Sequence, residues 1–287
     1  MPQQPLLVTG AHRTGTTWVG KMLAAGGFAY VSEPLNVLHR PGVMAAPVRH
    51  WYQYITRENE SEFLLAFQKT LALRYGLFAE LKSLKSRRDL LRMGRDLGIF
   101  LRGRVTRQPA LLKDPFAVFS LPWFVERLNC RVVVTIRHPA GFASSLKKLN
   151  WPFDFTDLLD QPLLMRDHLE PFRADMERMP ADDIIGQSAL LWRMIYRVVH
   201  ATVERVPSVI VLRHEDLSRE EARDQSADGV GSGHEERVSP NAPGGPASQG
   251  GQDLAGDDQP LDLARPLADR AQLDVAIELL RGEVLDV

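Results

Sequence analysis

Apolar positions along this chain fall into short solid runs, separated by stretches in which they recur at helical spacing. Residues 6–8 form the first such run and predict a buried strand. Residues 15–25 follow as a helix, and 28–31 as a second strand. Residues 39–55 show no period and read as an irregular loop carrying Trp51, Tyr52 and Tyr54. Residues 61–74 and 77–101 have helical spacing, the second with Leu81, Leu84 and Leu91 on its inward side. Residues 111–113 predict a strand, 121–128 a helix, and the β-branched run 131–136 another buried strand. Residues 139–149 start on Pro139, which suits a first helical position. A turn at 150–154 holds Trp151 and Phe153, a long helix at 182–203 carries Trp192 and Tyr196, and 208–212 is a last β-branched strand. Strands alternating with helices predict an α/β fold: a central, mostly parallel sheet flanked by helices on both faces.

The first strand runs into Val8-Thr9-Gly10-Ala11-His12-Arg13-Thr14-Gly15-Thr16-Thr17-Trp18. A strand, a glycine-bounded loop and a helix start together present backbone N–H groups to an anion. The spacing is almost that of a triphosphate-binding P-loop, but Thr16 stands where that loop has its lysine. Arg13, inside the loop, supplies a different cation. The strand at 131–136 ends in Arg137, at the carboxyl edge where α/β folds place their ligands. A nucleoside triphosphatase often has an aspartate near such a strand end to hold Mg²⁺. An arginine there suits a bare phosphate better than a metal.

These two segments resemble the signatures of sulfotransferases that use 3′-phosphoadenosine 5′-phosphosulfate (PAPS). In that family a loop of the type Arg13-Thr14-Gly15-Thr16-Thr17-Trp18 holds the 5′-phosphosulfate. An arginine followed eight residues later by a serine holds the 3′-phosphate, which here implies Arg137 and Ser145. The resemblance spans roughly residues 5–217 and is nearest to bacterial-type members with a P-loop NTPase-like fold. It implies sulfuryl transfer from PAPS, without a metal, to an acceptor hydroxyl on a sugar, a lipid or a small metabolite. Tyr30-Val31-Ser32-Glu33-Pro34-Leu35-Asn36 resembles a Glu-Pro-Phe-Asn type segment of those members and makes Glu33 the candidate general base. Leu111-Leu112-Lys113-Asp114-Pro115-Phe116 matches the segment that carries a histidine base in cytosolic animal members. Here it keeps the lysine and lacks the histidine, so Glu33 leads and Asp114 is the second candidate. Lys113 is placed to stabilise charge on the bridging oxygen, with a surface ion pair to Asp114 as the plainer alternative. His12, His39 and His50 are further titratable groups, each better suited to a structural or exposed position than to catalysis. Arg213-His214-Glu215-Asp216-Leu217 also resembles a Glu-Asp-Leu type segment of the family.

Composition narrows the setting. The chain has 287 residues, 44% of them hydrophobic, enough for one large core. Its formal net charge of −1 gives no global pull towards nucleic acid. The single cysteine, Cys130, excludes a disulfide framework and points to a reducing, cytoplasmic setting. No window has the length of an apolar membrane span, and no signal pattern opens the chain. The sulfotransferase domain is therefore expected at 1–217, with 41–108 as a helical acceptor-recognition insertion. That insertion is locally basic, with Lys82, Lys85, Arg87, Arg88, Arg92 and Arg95 among its residues. An anionic acceptor and a merely solvated helix face are its two readings.

Residues 218–260 are rich in Gly, Pro, Asp, Ser and Gln and read as a disordered segment; 261–287 form an atypical end with a short helix at 273–280. The late basic segment with which family members close over the donor's 3′-phosphate is not found there. Natural divergence and a reading-frame change near Arg219 are the two explanations; the loss of all aromatics after Tyr196 favours the second. A P-loop kinase or phosphotransferase, and a non-catalytic nucleotide-binding relic, are the competing functions.

Overall fold

The computed structural model describes residues 4–38 and 40–217. Five parallel strands form one sheet: β1 (Leu6–Gly10), β2 (Ala29–Ser32), β3 (Ala110–Lys113), β4 (Arg131–Ile136) and β5 (Val209–Arg213), in the spatial order β2-β3-β1-β4-β5. The register pairs Leu6 with both Leu111 and Arg131, and Gly10 with Thr135. The carboxyl ends of β1, β3 and β4 therefore lie side by side. Order reverses around β1, and such a reversal opens a crevice beyond the strand ends.

The solid apolar runs are explained by burial on both faces. Leu6, Val8, Leu111 and Val133 pack under helix α1 (Thr16–Ala25), against Val19, Met22 and Leu23. Leu7, Leu112, Val132 and Val134 face the larger core on the other side. That core is filled by rings, Phe63, Phe67, Phe119, Phe124 and Phe142 among them. It is covered by helices α5 (Leu121–Leu128), α6 (Pro139–Lys148) and α10 (Ile184–Arg205), with short turns α7 (Thr156–Leu159), α8 (Pro162–Leu164) and α9 (Arg173–Glu177) between the last two. Turns of three to five residues are too short to carry a helical period of apolar positions.

Two expected helices are shorter or broken. The first, at 61–74, is a 3₁₀ turn followed by α2 (Leu64–Leu71). The second, at 77–101, is two helices, α3 (Leu77–Ser83) and α4 (Arg87–Val105). Ser86 restarts the chain with a capping box: its hydroxyl accepts from the Asp89 N–H while the Asp89 carboxylate accepts from the Ser86 N–H. That reciprocal cap stabilises a new N-terminus and interrupts a pattern that apolar spacing alone reads as continuous. The inward packing expected of Leu81 and Leu91 does not occur; they are 46% and 76% exposed. Met93, Phe100 and the small Gly103 face inward instead. Residues 218–287, with the expected tail helix at 273–280, and His39 lie outside the described residues.

Candidate active site

All five strands deliver a polar residue to the same edge. Glu33 follows β2, Lys113 ends β3, the Gly10–Gly15 loop follows β1, Arg137 follows β4 and His214 follows β5.

The loop after β1 is held from below. Tyr196 of α10 accepts from the Ala11 N–H at 3.3 Å and donates to the Thr135 carbonyl at 2.8 Å, tying the loop to β4. The Thr14 hydroxyl donates to the Ala11 carbonyl at 2.6 Å and lies 2.8 Å from the Thr135 hydroxyl. Thr14 is thus a loop brace, fully buried, and its side chain does not face the mouth of the site. Arg13 and Gly15 both have positive φ, 65° and 90°. Those conformations turn the loop sharply into α1, whose N-terminus carries no capping side chain. Its first N–H groups, at Thr16, Thr17 and Trp18, are the donors an anion uses at such a terminus. Thr16 is buried, Thr17 is half-buried, and Trp18 packs against the core beneath α1.

Arg13 lies between Arg137 and Ser145 and contacts both. Arg13 Nε donates to Ser145 Oγ at 3.3 Å, and Arg137 Nη1 donates to the Arg13 carbonyl at 3.1 Å. The Arg137 carbonyl is fixed by Trp192 Nε1 at 2.9 Å. Two guanidiniums from two different loops and a hydroxyl from α6 therefore border one helix N-terminus. His214 was not singled out by sequence reasoning, although its segment was. Its ring lies against Gly15, where an added Cβ would stand 2.7 Å from Cδ2. Burial and the Arg137 charge lower its pKa, against the opposing pull of Glu215. Glu215 itself accepts from the His138 N–H at 2.8 Å and so anchors β5's end to the start of α6.

On the other side of β1, Lys113 Nζ lies 2.5 Å from Glu33 Oε1. Lys113 is only 3% exposed. Its stem passes Gly20 of α1, where a Cβ would meet Lys113 Cγ at 3.0 Å. Glu33 is turned by a positive φ of 47°, and its N–H donates to the Lys113 carbonyl at 2.6 Å. Asn36 Nδ2 donates to its second oxygen at 2.9 Å. Burial pushes the Glu33 carboxyl up, but Lys113, Asn36 and Arg40 together outweigh that and hold it below the usual carboxylate range. The alternative pairing of Lys113 with Asp114 on the surface does not occur.

Asp114 faces away from this pair. It is 0% exposed, and its oxygens accept from the Leu35 N–H at 2.6 Å and the Phe116 N–H at 2.9 Å. Burial raises its pKa to about 7 despite those bonds. Its carboxyl holds the chain turns after β2 and β3 together. His12 is also buried, its Nδ1 2.6 Å from the Tyr52 hydroxyl, among Phe116, Phe142 and Trp151. Burial, reinforced by Arg13, lowers its pKa to about 4. His50 stands 3.7 Å from Asp157. Tyr52 is core, 0% exposed, and Trp51 packs half-buried against that core.

No helix among the described residues is long and apolar enough to cross a membrane. Among the described residues, no group of three His, Cys, Asp or Glu is placed to hold a metal ion. No protein-family profile matches the chain. No curated protein matches it either. Among solved structures it is similar to a sulfotransferase domain from the curacin biosynthetic pathway, at 16% identity, over 82% of this chain and 76% of that one, with a TM-score of 0.35. At that score the likeness bears on neither donor nor acceptor.

Proposed function

We propose that this protein is a PAPS-dependent sulfotransferase that acts on an acceptor hydroxyl. The observation that carries the reading is the split of the sheet's carboxyl edge. Arg13, Arg137 and Ser145 lie on one side of β1 with the uncapped start of α1, and the Glu33–Lys113 pair lies on the other. One side suits a doubly phosphorylated nucleotide and the other a proton transfer.

The residues fit the donor on their chemistry. Charge-assisted bonds from a guanidinium fork are the strong ones for phosphate, and Arg137 with Ser145 supplies a fork and a hydroxyl for a 3′-phosphate. Arg13 and the α1 N-terminus supply the cradle for a 5′-phosphosulfate. The bound donor supplies a sulfuryl group on a phosphate leaving group. Glu33 takes the acceptor's proton as its oxygen bonds to sulfur and the bond from sulfur to the phosphate oxygen breaks. Lys113 is positioned to place charge near that oxygen. While it holds Lys113, Glu33 is a weak base, because its pKa is low. A Lys113 ammonium drawn towards the leaving oxygen frees Glu33 and raises its basicity at the point of use.

A phosphotransferase reading is disfavoured by the same edge. Thr16 replaces the P-loop lysine, and Asp114, the acid that follows β3 beside β1, is committed to two backbone N–H groups. The test is calorimetric titration with 3′,5′-bisphosphoadenosine, AMP and Mg-ATP. Preference for the bisphosphate supports the reading. Tighter Mg-ATP binding with turnover replaces it with a kinase, and binding without transfer to any hydroxyl acceptor makes the protein a nucleotide-binding relic.

A further inference from the structure

The outer side of α4 is an exposed helix face of unusual make-up. Leu90, Leu91, Leu101 and Val105 are 52%, 76%, 54% and 82% exposed, and Phe78 on the preceding α3 is 81% exposed. Gly94 and Gly98 lie in the same stripe, and an added Cβ at either would meet nothing within 4 Å. Beside the stripe, exposed Arg88, Arg95 and Arg102 follow one another at seven-residue intervals, about two helical turns, and so form one row. Between residues 77 and 105 there are eight Lys and Arg against three Asp and Glu. Two of those acids are buried, Glu80 and Asp96, the latter paired with Arg95 at 3.4 Å and with Arg40 at 3.2 Å, and the third, Asp89, is engaged in the cap of α4 and with Arg92, so the region keeps a net positive charge.

We infer that this face docks on an anionic lipid bilayer, lying in the interface without crossing it. An interfacial helix needs an apolar stripe to enter the acyl boundary and cations whose stems run along it to the headgroups. Both are present and adjacent, and the excess positive charge complements anionic headgroups. A second copy of the chain fits less well, since a symmetric contact sets one arginine row and its net positive charge against another. Nucleic acid satisfies the arginines but leaves five large apolar side chains in water. The inference is independent of the proposed chemistry, because none of these residues belongs to the strand-end site.

The test is co-sedimentation of the full chain with vesicles of phosphatidylcholine alone and of phosphatidylcholine mixed with phosphatidylglycerol, at low and high salt. Binding is expected only to the mixed vesicles and weaker at high salt. Replacing Arg88, Arg95 and Arg102 with Gln should weaken it about a hundredfold, at about fivefold per charge. Leu91→Asp with Val105→Asp should abolish it although the arginines remain; circular dichroism should show both variants folded, since every position is exposed. Absence of binding to the mixed vesicles overturns the inference, as does equal binding to phosphatidylcholine alone. It is also overturned by a dimer that Leu91→Asp dissociates in a chain that ignores vesicles, and by nucleic-acid binding in such a chain that Leu91→Asp leaves unchanged.

Discussion

The Lys113 ammonium sits 2.5 Å from the Glu33 carboxylate, although 80 residues separate them in sequence. β2 and β3 are neighbours in register, Ser32 against Lys113, so the residue after one strand and the last residue of the other must meet. The pair is almost out of water at the lysine, with 4% side-chain exposure, and open at the carboxylate, with 21%. A buried cation facing a reachable anion is suited to releasing one partner when a ligand competes for the other.

Removing the lysine reverses the electrostatics of Glu33. With Lys113 present, the folded-state pKa is below the unfolded one, so the carboxylate stabilises the protein above the unfolded value and that contribution is lost as pH falls. In Lys113→Met only burial and the weaker partners remain, and the folded-state pKa rises. The variant is then expected to lose about 2–3 kcal/mol at neutral pH, less than a fully buried pair because Glu33 is partly exposed. The loss should shrink as pH drops through the carboxylate range, which denaturant melts between acid and neutral pH would show; a pH-independent loss would reduce Lys113 to a packing residue. Glu33→Gln should leave bisphosphate binding intact and remove transfer.

Arg137→Ala is expected to weaken 3′,5′-bisphosphoadenosine about 10- to 100-fold, the effect of losing a charged hydrogen bond, and to leave AMP nearly unchanged. Calorimetry with both nucleotides separates that outcome from general damage. An equal loss for both would assign Arg137 to the loop, through its bond to the Arg13 carbonyl, instead of to a 3′-phosphate.

Gly15→Ala meets two obstacles, a φ of 90° and the His214 ring 2.7 Å from the new Cβ. A destabilisation of about 1–3 kcal/mol is expected from the backbone conformation alone, with the ring contact added to it. A double-mutant cycle with His214→Ala should return the contact portion and leave the backbone portion. Full additivity of the two changes would show that the ring yields without cost.

His12 contributes a pH dependence of known sign. Its pKa is about 4 in the folded protein, below the ordinary imidazole value, so the unfolded chain takes up the proton first as pH falls. Wild type should therefore gain stability over His12→Phe by about 3 kcal/mol as pH rises from about 4 to about 6.5. Asp114 works the other way, since its folded-state pKa is raised to about 7 and its ionisation opposes folding over nearly the same range. Asp114→Asn should accordingly steepen the rise of stability with pH. Urea midpoints at several pH values test both; a constant gap between wild type and His12→Phe would place the imidazole in water.

Much of this architecture is written locally. The sheet's strands are solid apolar runs because parallel strands are buried on both faces, and Leu6 to Val8 and Val132 to Val134 show that without help from partners. The glycine loop, Arg137 and Ser145 were legible because each depends on a short spacing within one strand–loop–helix unit. The break between α3 and α4 was also encoded locally, in Ser86 and Asp89, but the apolar period masked it. Tertiary structure alone decided the rest. The strand order brought Glu33 to Lys113 instead of Asp114, and buried Asp114 against the backbone of Leu35 and Phe116. It set His214 over Gly15, and it turned Leu91 outward where its period pointed in. Sequence spacing states which residues share a face of one element; which neighbour that face meets, or whether it meets water, is fixed only when distant strands and helices pack together.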